Sequence, residues 1–204
     1  SNPDKLIYGM DDAQPGEYLT DYMTRKMVDY LKTPRSRPFF AICSFYAVHT
    51  PLEAKQEMIN RYEMKIEKMG LEEDPMKKEE AGDCKTQQDH SVYAAMIESV
   101  DEGIGKMVEA LKATGQYDHT IIVLISDHGG LSNRGNKREL ATTNAPLKAG
   151  KGHLYEGGLR VPMLIHLPGQ KKNKACDLPV MSFDLLPTLA DLCNVPVDGK
   201  AELD

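Results

Sequence analysis

An α/β fold, with a mostly parallel (mixed) sheet flanked by helices, is what the sequence predicts. Three apolar runs of strand length lack polar alternation, which is typical of strands covered on both faces; they are residues 38–45 (PFFAICSF), 120–126 (TIIVLIS) and 161–167 (VPMLIHL). Helical segments alternate with these runs, and that order favours a parallel sheet. With 204 residues, the chain has the length of one domain or of a large part of one.

The first half of the chain begins with an irregular segment, residues 1–16, which is rich in proline, glycine and aspartate. Apolar residues at helical spacing predict a helix over residues 18–31. Pro34 ends it, because a proline disfavours the α conformation in the residue before it. The first strand run follows, and then a short helix over residues 53–69. Residues 70–90 contain runs of lysine and glutamate and are predicted to form a charged, solvated loop.

The second half contains the clearest helix, residues 92–111, in which an apolar stripe with i, i+4 spacing is opposed by acidic residues. Gly115 is expected to end it in the left-handed conformation. The second strand run comes next, followed by a polar, glycine-rich loop to about residue 158 and by the third strand run. A final helix is predicted from residue 182 or 184 to about residue 193, with Pro187 in its first turn.

Composition excludes several classes of protein. Hydrophobic residues make up 41% and charged residues 27% of the chain, which is typical of a globular protein rather than a collagen-like, coiled-coil or disordered one. The formal net charge of −6 disfavours a general nucleic-acid binder, which needs a clustered basic face. No apolar run approaches the roughly 18 residues that cross a bilayer. The N-terminus lacks the pattern of a signal peptide. We therefore expect no nucleic-acid partner and no membrane span.

The four cysteines are widely spaced and form no C-x-x-C pair, which excludes a compact zinc knuckle and a thioredoxin-type redox motif. Cys43 and Cys193 have apolar neighbours and are expected to be small buried side chains rather than disulfide partners. Cys84 lies in the predicted charged loop and is expected to be the most exposed of the four.

Asp127 and His128, which follow the second strand run, are candidate metal ligands. In open α/β sheets, functional groups gather beyond the carboxyl ends of the strands. A tight turn through Gly129 and Gly130 would let both side chains face one site, because glycine adopts positive φ without penalty. A carboxylate and an imidazole presented together could bind a divalent cation. The alternative is that Asp127 and Ser126 cap the turn and that His128 is an ordinary surface histidine.

Lys151 and His49 are candidates for anion binding and acid–base chemistry. Lys151 lies between two glycines, which let a ligand approach the backbone closely, so its ammonium group could bind a phosphate or sulfate. A flexible surface lysine is the alternative. His49 follows the first strand run and could act as an acid, a base, an anion donor or a cap. Glu156 and Arg160 are expected to pair and to hold the turn between them, a structural role.

Several segments, in order along most of the chain, resemble the sulfatase family of the alkaline phosphatase superfamily. Each segment is weak by itself, and their number and order make the resemblance specific. They are residues 18–21 (YLTD), 38–40 (PFF), 44–51 (SFYAVHTP), 93–98 (YAAMIE), 126–130 (SDHGG), 151–162 (KGHLYEGGLRVP) and 184–189 (DLLPTL).

The resemblance implies an alkaline-phosphatase-like fold, here incomplete, and a sulfuric ester hydrolase. Asp127 and His128 match one pair of ligands to a divalent cation, usually Ca²⁺, although many relatives have asparagine where His128 stands. Lys151 matches the lysine that binds the sulfate group. His49 matches the histidine that contacts the ester and protonates the leaving oxygen. Lys151 and His49 are therefore both expected to be catalytic and substrate-binding. A cation and a lysine neutralise charge at sulfur, and a histidine supplies general-acid catalysis.

The sequence also departs from the family pattern. The family nucleophile is a formylglycine made from cysteine or serine in a C/S-x-P-x-R motif, and none of the four cysteines lies in such a motif. The Asp-Asp pair that supplies the other metal ligands is absent as well. The resemblance therefore implies that residues 1–204 are a partial sulfatase catalytic domain, without the formylglycine-bearing N-terminal part. Alone, it is expected to have no turnover and to bind Ca²⁺ weakly, since about half of the 6–8 oxygen ligands are absent.

For the parent protein, the leading hypothesis is hydrolysis of sulfate esters of a small molecule or glycan, with a sulfated carbohydrate preferred. Two alternatives stay open: a phosphodiesterase or phosphonate monoester hydrolase of the same superfamily, and a non-catalytic anion-binding relative. Because relatives are commonly periplasmic, extracellular or lysosomal, we expect export. Absent strands are expected to leave a sheet edge open, which favours self-association.

Overall fold

The computed structural model describes residues 10–71, 75–80, 82–133 and 140–197. The chain divides into two compact units, Ser1–Gly169 and Gln170–Asp204. The described helices are α1 (Leu19–Lys32), α2 (Gln56–Met69), α3 (Ser91–Ala113), α4 (Glu156–Leu159) and α5 (Leu185–Leu192). The described strands are β1 (Met76–Glu79), β2 (Gly82–Lys85), β3 (Ile122–Ile125) and β4 (Met163–His166).

Helix α3 is the centre of the first unit, because both α1 and α2 pack against it. The α1 contact is close at Gly103, where an added Cβ would collide with the Thr24 hydroxyl. On the α2 side, Ser99 and Met58 are both fully buried and lie 3.2 Å apart at Oγ and Sδ. An apolar cluster joins α1 and α3 to the start of β3; it contains Leu31, Ala110, Leu111, Met27, Val28, Phe39, Met107, Tyr117 and Ile122.

The long helices and their ends agree with the sequence predictions. Thr33, before Pro34, has the extended conformation and ends α1. Gly115 follows α3 with φ of +70°, the left-handed conformation expected of a glycine after a helix. In the second unit, a 3-10 turn at Ser182–Asp184 leads into α5, and Pro187 lies in its first turn.

The predicted parallel sheet is not confirmed. β3 and β4 pair antiparallel, with Ile122 opposite His166 and Ile125 opposite Met163, and β1 and β2 form a separate antiparallel pair. Between β3 and β4, the part of the chain that the structure describes contains only the single-turn helix α4. A parallel connection needs a crossover of a dozen or more residues, usually a long helix, to return the chain to the start of the first strand. Here the connection folds back on itself close to the strand ends, where Gly129 N–H donates to Gly158 O, and β4 therefore returns antiparallel to β3.

The strand predicted over residues 38–45 is wrong, because the structure has no helix or strand there. Phe39 packs against the apolar cluster, whereas Phe40 and Ile42 are 74% and 72% exposed. β3 and β4 are not covered on both faces either, since Leu124 and Leu164 are exposed. An apolar run becomes a strand only where another strand accepts and donates its backbone hydrogen bonds, and the run itself does not show whether such a neighbour exists.

The loop predicted over residues 70–90 is structured in part, since β1 and β2 form a hairpin there. Cys84, expected to be exposed, is buried, because it lies on β2 and forms a bridge with Asn133. Cys193, expected to be buried, is exposed, and Cys43 is half-buried. All four cysteines lie in the described part of the chain and are free thiols.

The described residues bear on two further expectations, one about membrane spans and one about the N-terminal segment. No helix among the described residues is both long enough and apolar enough to cross a membrane. The irregular lead-in of residues 1–16 falls mostly on residues 1–9, which lie outside the described residues, and residues 10–16 contain no helix or strand.

Candidate functional site

Backbone hydrogen bonds join the loop after β3 to the loop before β4. Gly129 N–H donates to Gly158 O at 2.9 Å, and within the segment before β4 Gly157 N–H donates to Lys148 O at 2.8 Å. Lys151 N–H donates to Gly130 O at 3.1 Å. We call this contact region the glycine junction; it comprises Gly129, Gly130, Gly150, Gly157 and Gly158. Three of the predicted site residues, Asp127, His128 and Lys151, lie in the two loops that it joins.

Close approach of backbones explains the glycines of the junction. A Cβ on Gly129 would collide with the Gly157 carbonyl, and a Cβ on Gly157 would collide with the Ala149 carbonyl. Gly150 leaves no room for a side chain beside the Gly130 carbonyl. The sequence analysis expected Gly129 and Gly130 to provide positive φ, and this is wrong: neither has it. Gly129 is needed because the two loops touch there through their main chains, and Gly130 because a Cβ would collide with the Thr142 side chain.

Asn144 fastens the junction, and the sequence analysis missed it. Its Oδ1 accepts from Gly130 N–H at 3.0 Å, while its Nδ2 donates to Gly130 O at 2.8 Å and to Ala149 O at 3.0 Å. Buried Ser132 lies beside it, 3.1 Å from Nδ2, and donates to the same Ala149 carbonyl. A single amide thus holds both loops. The only sequence signal was an asparagine within a glycine-rich loop, which is too common to be specific.

Asp127 and His128 lie at the end of β3, where the sequence analysis placed them. Asp127 is 81% exposed at its side chain, and its Oδ2 is 3.0 Å from His128 Nε2. His128 Nδ1 is 3.0 Å from the Gly129 carbonyl, to which it must donate because a carbonyl oxygen only accepts. Ser126 donates to the His128 carbonyl at 2.9 Å, so the capping role proposed as the alternative is also present.

The donor chemistry of this pair fits part of a cation site. With its proton on Nδ1, neutral His128 directs the lone pair of Nε2 towards the Asp127 carboxylate, which is repulsive. A cation bound by both side chains would remove the repulsion, and an Nδ1–H donated to a carbonyl is the usual arrangement of a metal-binding histidine. In the parts of the chain that are described, no cluster of three or more His, Cys, Asp or Glu side chains could hold a metal ion. Asp127 and His128 can therefore supply two ligands only.

Lys151, the candidate for anion binding, lies in the loop before β4. Its backbone is fixed by the Gly130 carbonyl, and Gly152, with φ of +90°, turns the chain immediately after it. The ion pairs found among the described residues do not include Lys151, whereas its neighbour Lys148 is paired with Glu80. The two lysines of this loop therefore differ in their ion-pair partners among the described residues.

His49 is exposed; its N–H donates to Tyr46 O at 2.9 Å, and the polar contacts found for its side chain among the described residues are with Thr50. His49 Nδ1 donates to the Thr50 carbonyl at 2.7 Å, which leaves Nε2 as the ring nitrogen that could exchange a proton with a ligand. None of these contacts joins His49 to the glycine junction. Backbone contacts thus link the loops of three of the four predicted site residues, and the contacts of His49 among the described residues are local ones.

Two further features bear on the site. Arg160 and Glu156 pair at 3.4 Å across α4, which confirms the structural pairing predicted for them. A groove of about 760 Å³ lies between α1 and α3, but none of the predicted site residues lines it.

Comparisons with known proteins identify relatives for most of the chain. A family model described as Sulfatase matches residues 1–195. The sulfatase of Formosa agariphila is 30% identical, over 92% of this chain and 32% of its own length. Arylsulfatase J of Mus musculus is 30% identical, over 95% of this chain and 28% of its own length. The chain thus spans about a third of the length of these relatives.

A solved structure is similar over nearly the whole chain. The crystal structure of Ps i-CgsB in complex with k-i-k-neocarrahexaose matches with a TM-score of 0.74 at 35% identity. The match covers 99% of this chain and 38% of that one. At this identity, the likeness concerns sequence as well as fold.

Proposed function

Because this chain belongs to the sulfatase family, we propose that the protein containing it hydrolyses sulfate esters, with a sulfated glycan as its class of substrate. One observation carries the proposal. The hydrogen bond from Lys151 N–H to Gly130 O, 3.1 Å long, holds the anion-binding candidate beside the strand end that bears Asp127 and His128. The glycan is supported by the likeness to Ps i-CgsB, whose structure contains k-i-k-neocarrahexaose.

Lys151 binds the sulfate group in this proposal. A sulfate ester is an anion, and negative charge on its oxygens must be balanced before a nucleophile can approach the sulfur. An ammonium group on a fixed backbone contributes this balance without reorganisation during the reaction. Lys148 cannot take this role while Glu80 is bound to it.

Asp127 and His128 would hold a divalent cation, with Ca²⁺ as the expected ion. When bound, the cation supplies positive charge beside the sulfate oxygens. Ca²⁺ takes roughly 6–8 oxygen ligands. These two side chains supply only part of that set, so other ligands must complete the site. Asp127 contributes a carboxylate oxygen, and the Nδ1–H bond of His128 to Gly129 keeps Nε2 free for the ion.

His49 donates a proton to the departing oxygen. Because Nδ1 is committed to the Thr50 carbonyl, the proton must come from Nε2, which requires the doubly protonated ring. These 204 residues do not supply the formylglycine nucleophile, because none of their cysteines lies in a C-x-P-x-R motif. We therefore propose that residues 1–204 alone do not turn over a sulfate ester. Export of the protein stays a prediction from its family.

The test measures sulfate released from 4-methylumbelliferyl sulfate and from sulfated carrageenan oligosaccharides by the full-length protein that contains this chain. We expect Lys151→Met to lower the turnover about a hundredfold or more, which is typical when one preorganised charge partner of a transition state is removed. His49→Gln is expected to lower it about a hundredfold through loss of the acid. Lys68→Met removes an exposed lysine of α2 and should leave turnover unchanged.

Three outcomes would contradict the proposal. Hydrolysis of a phosphate diester or a phosphonate ester without sulfate release would favour the phosphodiesterase alternative. Binding of inorganic sulfate that depends on Lys151, in a protein without hydrolysis, would favour the non-catalytic relative. Equal loss of activity in Lys68→Met and Lys151→Met would show that Lys151 has no special role.

Calcium binding by the 204-residue chain is a separate test, which needs no turnover. Titration calorimetry with CaCl₂ should show weak binding, with a Kd of about a millimolar because the ligand set is incomplete. Asp127→Asn should abolish it, whereas Asp29→Asn, an exposed acid on α1, should not. Binding that survives Asp127→Asn would place the ion elsewhere.

A further inference from the structure

The loop that carries Lys151 is held from outside by the β1–β2 hairpin, which the sequence analysis treated as a solvated loop. Glu79, the last residue of β1, accepts from Ala149 N–H at 3.0 Å. Glu80, the next residue, accepts at one oxygen from Lys148 Nζ at 2.6 Å and from Tyr155 O–H at 3.0 Å. The neighbouring carboxylates of Glu79 and Glu80 therefore accept hydrogen bonds from the loop both before and after Lys151.

The hairpin itself is anchored to the core of the first unit. Lys85 N–H donates to the Ser132 carbonyl at 2.6 Å, and Cys84 pairs with Asn133 in an isolated bridge. Lys85 and Asp89 form an ion pair at 2.7 Å, in which both side chains are nearly buried. Because β2 is attached in this way, Glu79 and Glu80 are presented from a fixed support and not from a free loop.

Lys148 and Lys151, the two lysines of this loop, differ in whether a carboxylate balances their charge among the described residues. Lys148 is bound by Glu80 and also lies 4.0 Å above the Tyr155 ring. The pKa of the Glu80 carboxyl is lowered, chiefly by the hydrogen bond from Lys148, and the pKa of Lys148 is raised by the same bond. The charges of these two residues thus neutralise each other, and the positive charge of Lys151 remains for a ligand.

The backbone conformation of Ala149 explains why these hydrogen bonds are needed. Its φ of +59° is in the left-handed region, which a residue with a Cβ rarely adopts. The bond from its N–H to Glu79 and the bond from Asn144 to its carbonyl hold it there from two sides. Ala149 is two positions from Lys151, so its conformation determines where the Lys151 side chain begins.

We propose that Glu80, supported by Glu79, is a positioning residue for Lys151: it ties up Lys148 and Tyr155 and thereby fixes the anion-binding loop. The inference rests on the proposed function for the role of Lys151 in sulfate binding. It adds that the affinity for the sulfate group depends on a hairpin that does not touch the ligand.

The experiment compares Glu80→Gln and Glu80→Ala in the full-length protein with Glu67→Gln, an exposed carboxylate on α2. Three quantities are measured: the exchange of the backbone amides of residues 149–158 with deuterium, the inhibition constant of inorganic sulfate, and KM and kcat for 4-methylumbelliferyl sulfate. Glu80→Gln keeps an acceptor for Tyr155 and loses only the charge, so it serves if Glu80→Ala fails to fold.

We expect both Glu80 variants to speed the exchange of the Lys151 amide and to raise the sulfate inhibition constant and KM about fivefold, with a smaller change in kcat, since an exposed ion pair has a modest effect. In a Lys151→Met background, the same Glu80 change should have no further effect on sulfate inhibition. Glu67→Gln should change none of these quantities.

Two results would overturn the proposal: unchanged amide exchange in both Glu80 variants, or an effect on sulfate inhibition that is equally large without Lys151. Failure of the proposed function is recognised differently, as absence of sulfate ester turnover in the unmodified protein. In that case amide exchange and sulfate binding still decide whether Glu80 positions Lys151.

Discussion

Asn144 shows how much one side chain holds at the candidate site. Its amide has an acceptor that faces an N–H and a donor that faces two carbonyls, so both ends are matched to the backbone around them. A residue of the same shape without the donor would keep the first contact and turn the others into repulsion between oxygens.

Asn144→Asp is therefore expected to destabilise the first unit by about 2–4 kcal/mol, because it leaves carbonyls without donors and adds a charge against them. The free energy of unfolding in urea measures the effect. Asn60→Asp is the matched control, since Asn60 on α2 is exposed and uses its oxygen to accept from Gln56. Equal changes in stability for the two variants would show that Asn144 does not fasten the junction.

The four thiols are expected to differ in reactivity. Burial, and then the neighbouring Glu79 carboxylate, raise the pKa of Cys84 to about 11, so little thiolate is present near neutral pH. Cys176 and Cys193 are exposed. With iodoacetamide at pH 7.5, mass spectrometry of peptides should show these two alkylated first and Cys84 last.

Unfolding in urea provides the control for thiol reactivity, since all four cysteines should then react at similar rates. Rapid alkylation of Cys84 in the folded chain would contradict its burial on β2.

At the scale of the elements, α3 carries two glycines with opposite surroundings. A Cβ on Gly103 would collide with the Thr24 hydroxyl, which is buried and donates to the Thr20 carbonyl at 2.7 Å. A Cβ on Gly105 would meet nothing within 4 Å. Close approach of α1 and α3 thus requires the first glycine but not the second.

Gly103→Ala is expected to destabilise the protein by about 1–3 kcal/mol through overpacking between α1 and α3. Gly105→Ala should stabilise it by about 0.5–1 kcal/mol, because alanine restricts the unfolded chain and favours the helix. Urea unfolding of both variants measures the difference. Stabilisation by both substitutions would mean that α1 and α3 are farther apart than described.

At the scale of the whole molecule, apolar side chains are left on the surface of the β3–β4 pair. Leu124, Ile125, Leu164 and Ile165 are all exposed, and in the described residues these two strands have no third neighbour. An open edge with apolar residues is a surface that associates with other strands. The predicted self-association of the chain therefore has a physical basis.

We expect sedimentation equilibrium to show concentration-dependent association of the 204-residue chain and Leu164→Lys to weaken it. Met64→Lys is the matched control, since Met64 is an exposed apolar residue on α2, away from the sheet. A chain that stays monomeric at all concentrations, or equal effects of both variants, would refute association through the sheet.

The sequence by itself determined helices α1, α2, α3 and α5 and the family, but not the short helix α4. Local rules govern these features: apolar spacing for α1, α2 and α3, a proline after α1, and a left-handed glycine after α3. The adjacency of Asp127 and His128 at the end of β3 was also readable, because it depends only on where an apolar run stops.

Only the tertiary structure decided the sheet, the burial of Cys84 and the way the site is held. Strand direction depends on which segments meet, and an apolar run such as residues 38–45 cannot show whether it has a partner. The grip of Asn144, Glu79 and Glu80 on the Lys151 loop joins residues that are far apart in the chain. Long-range contacts of this kind leave no local pattern, which is why the sequence showed the chemical groups of the site but not their support.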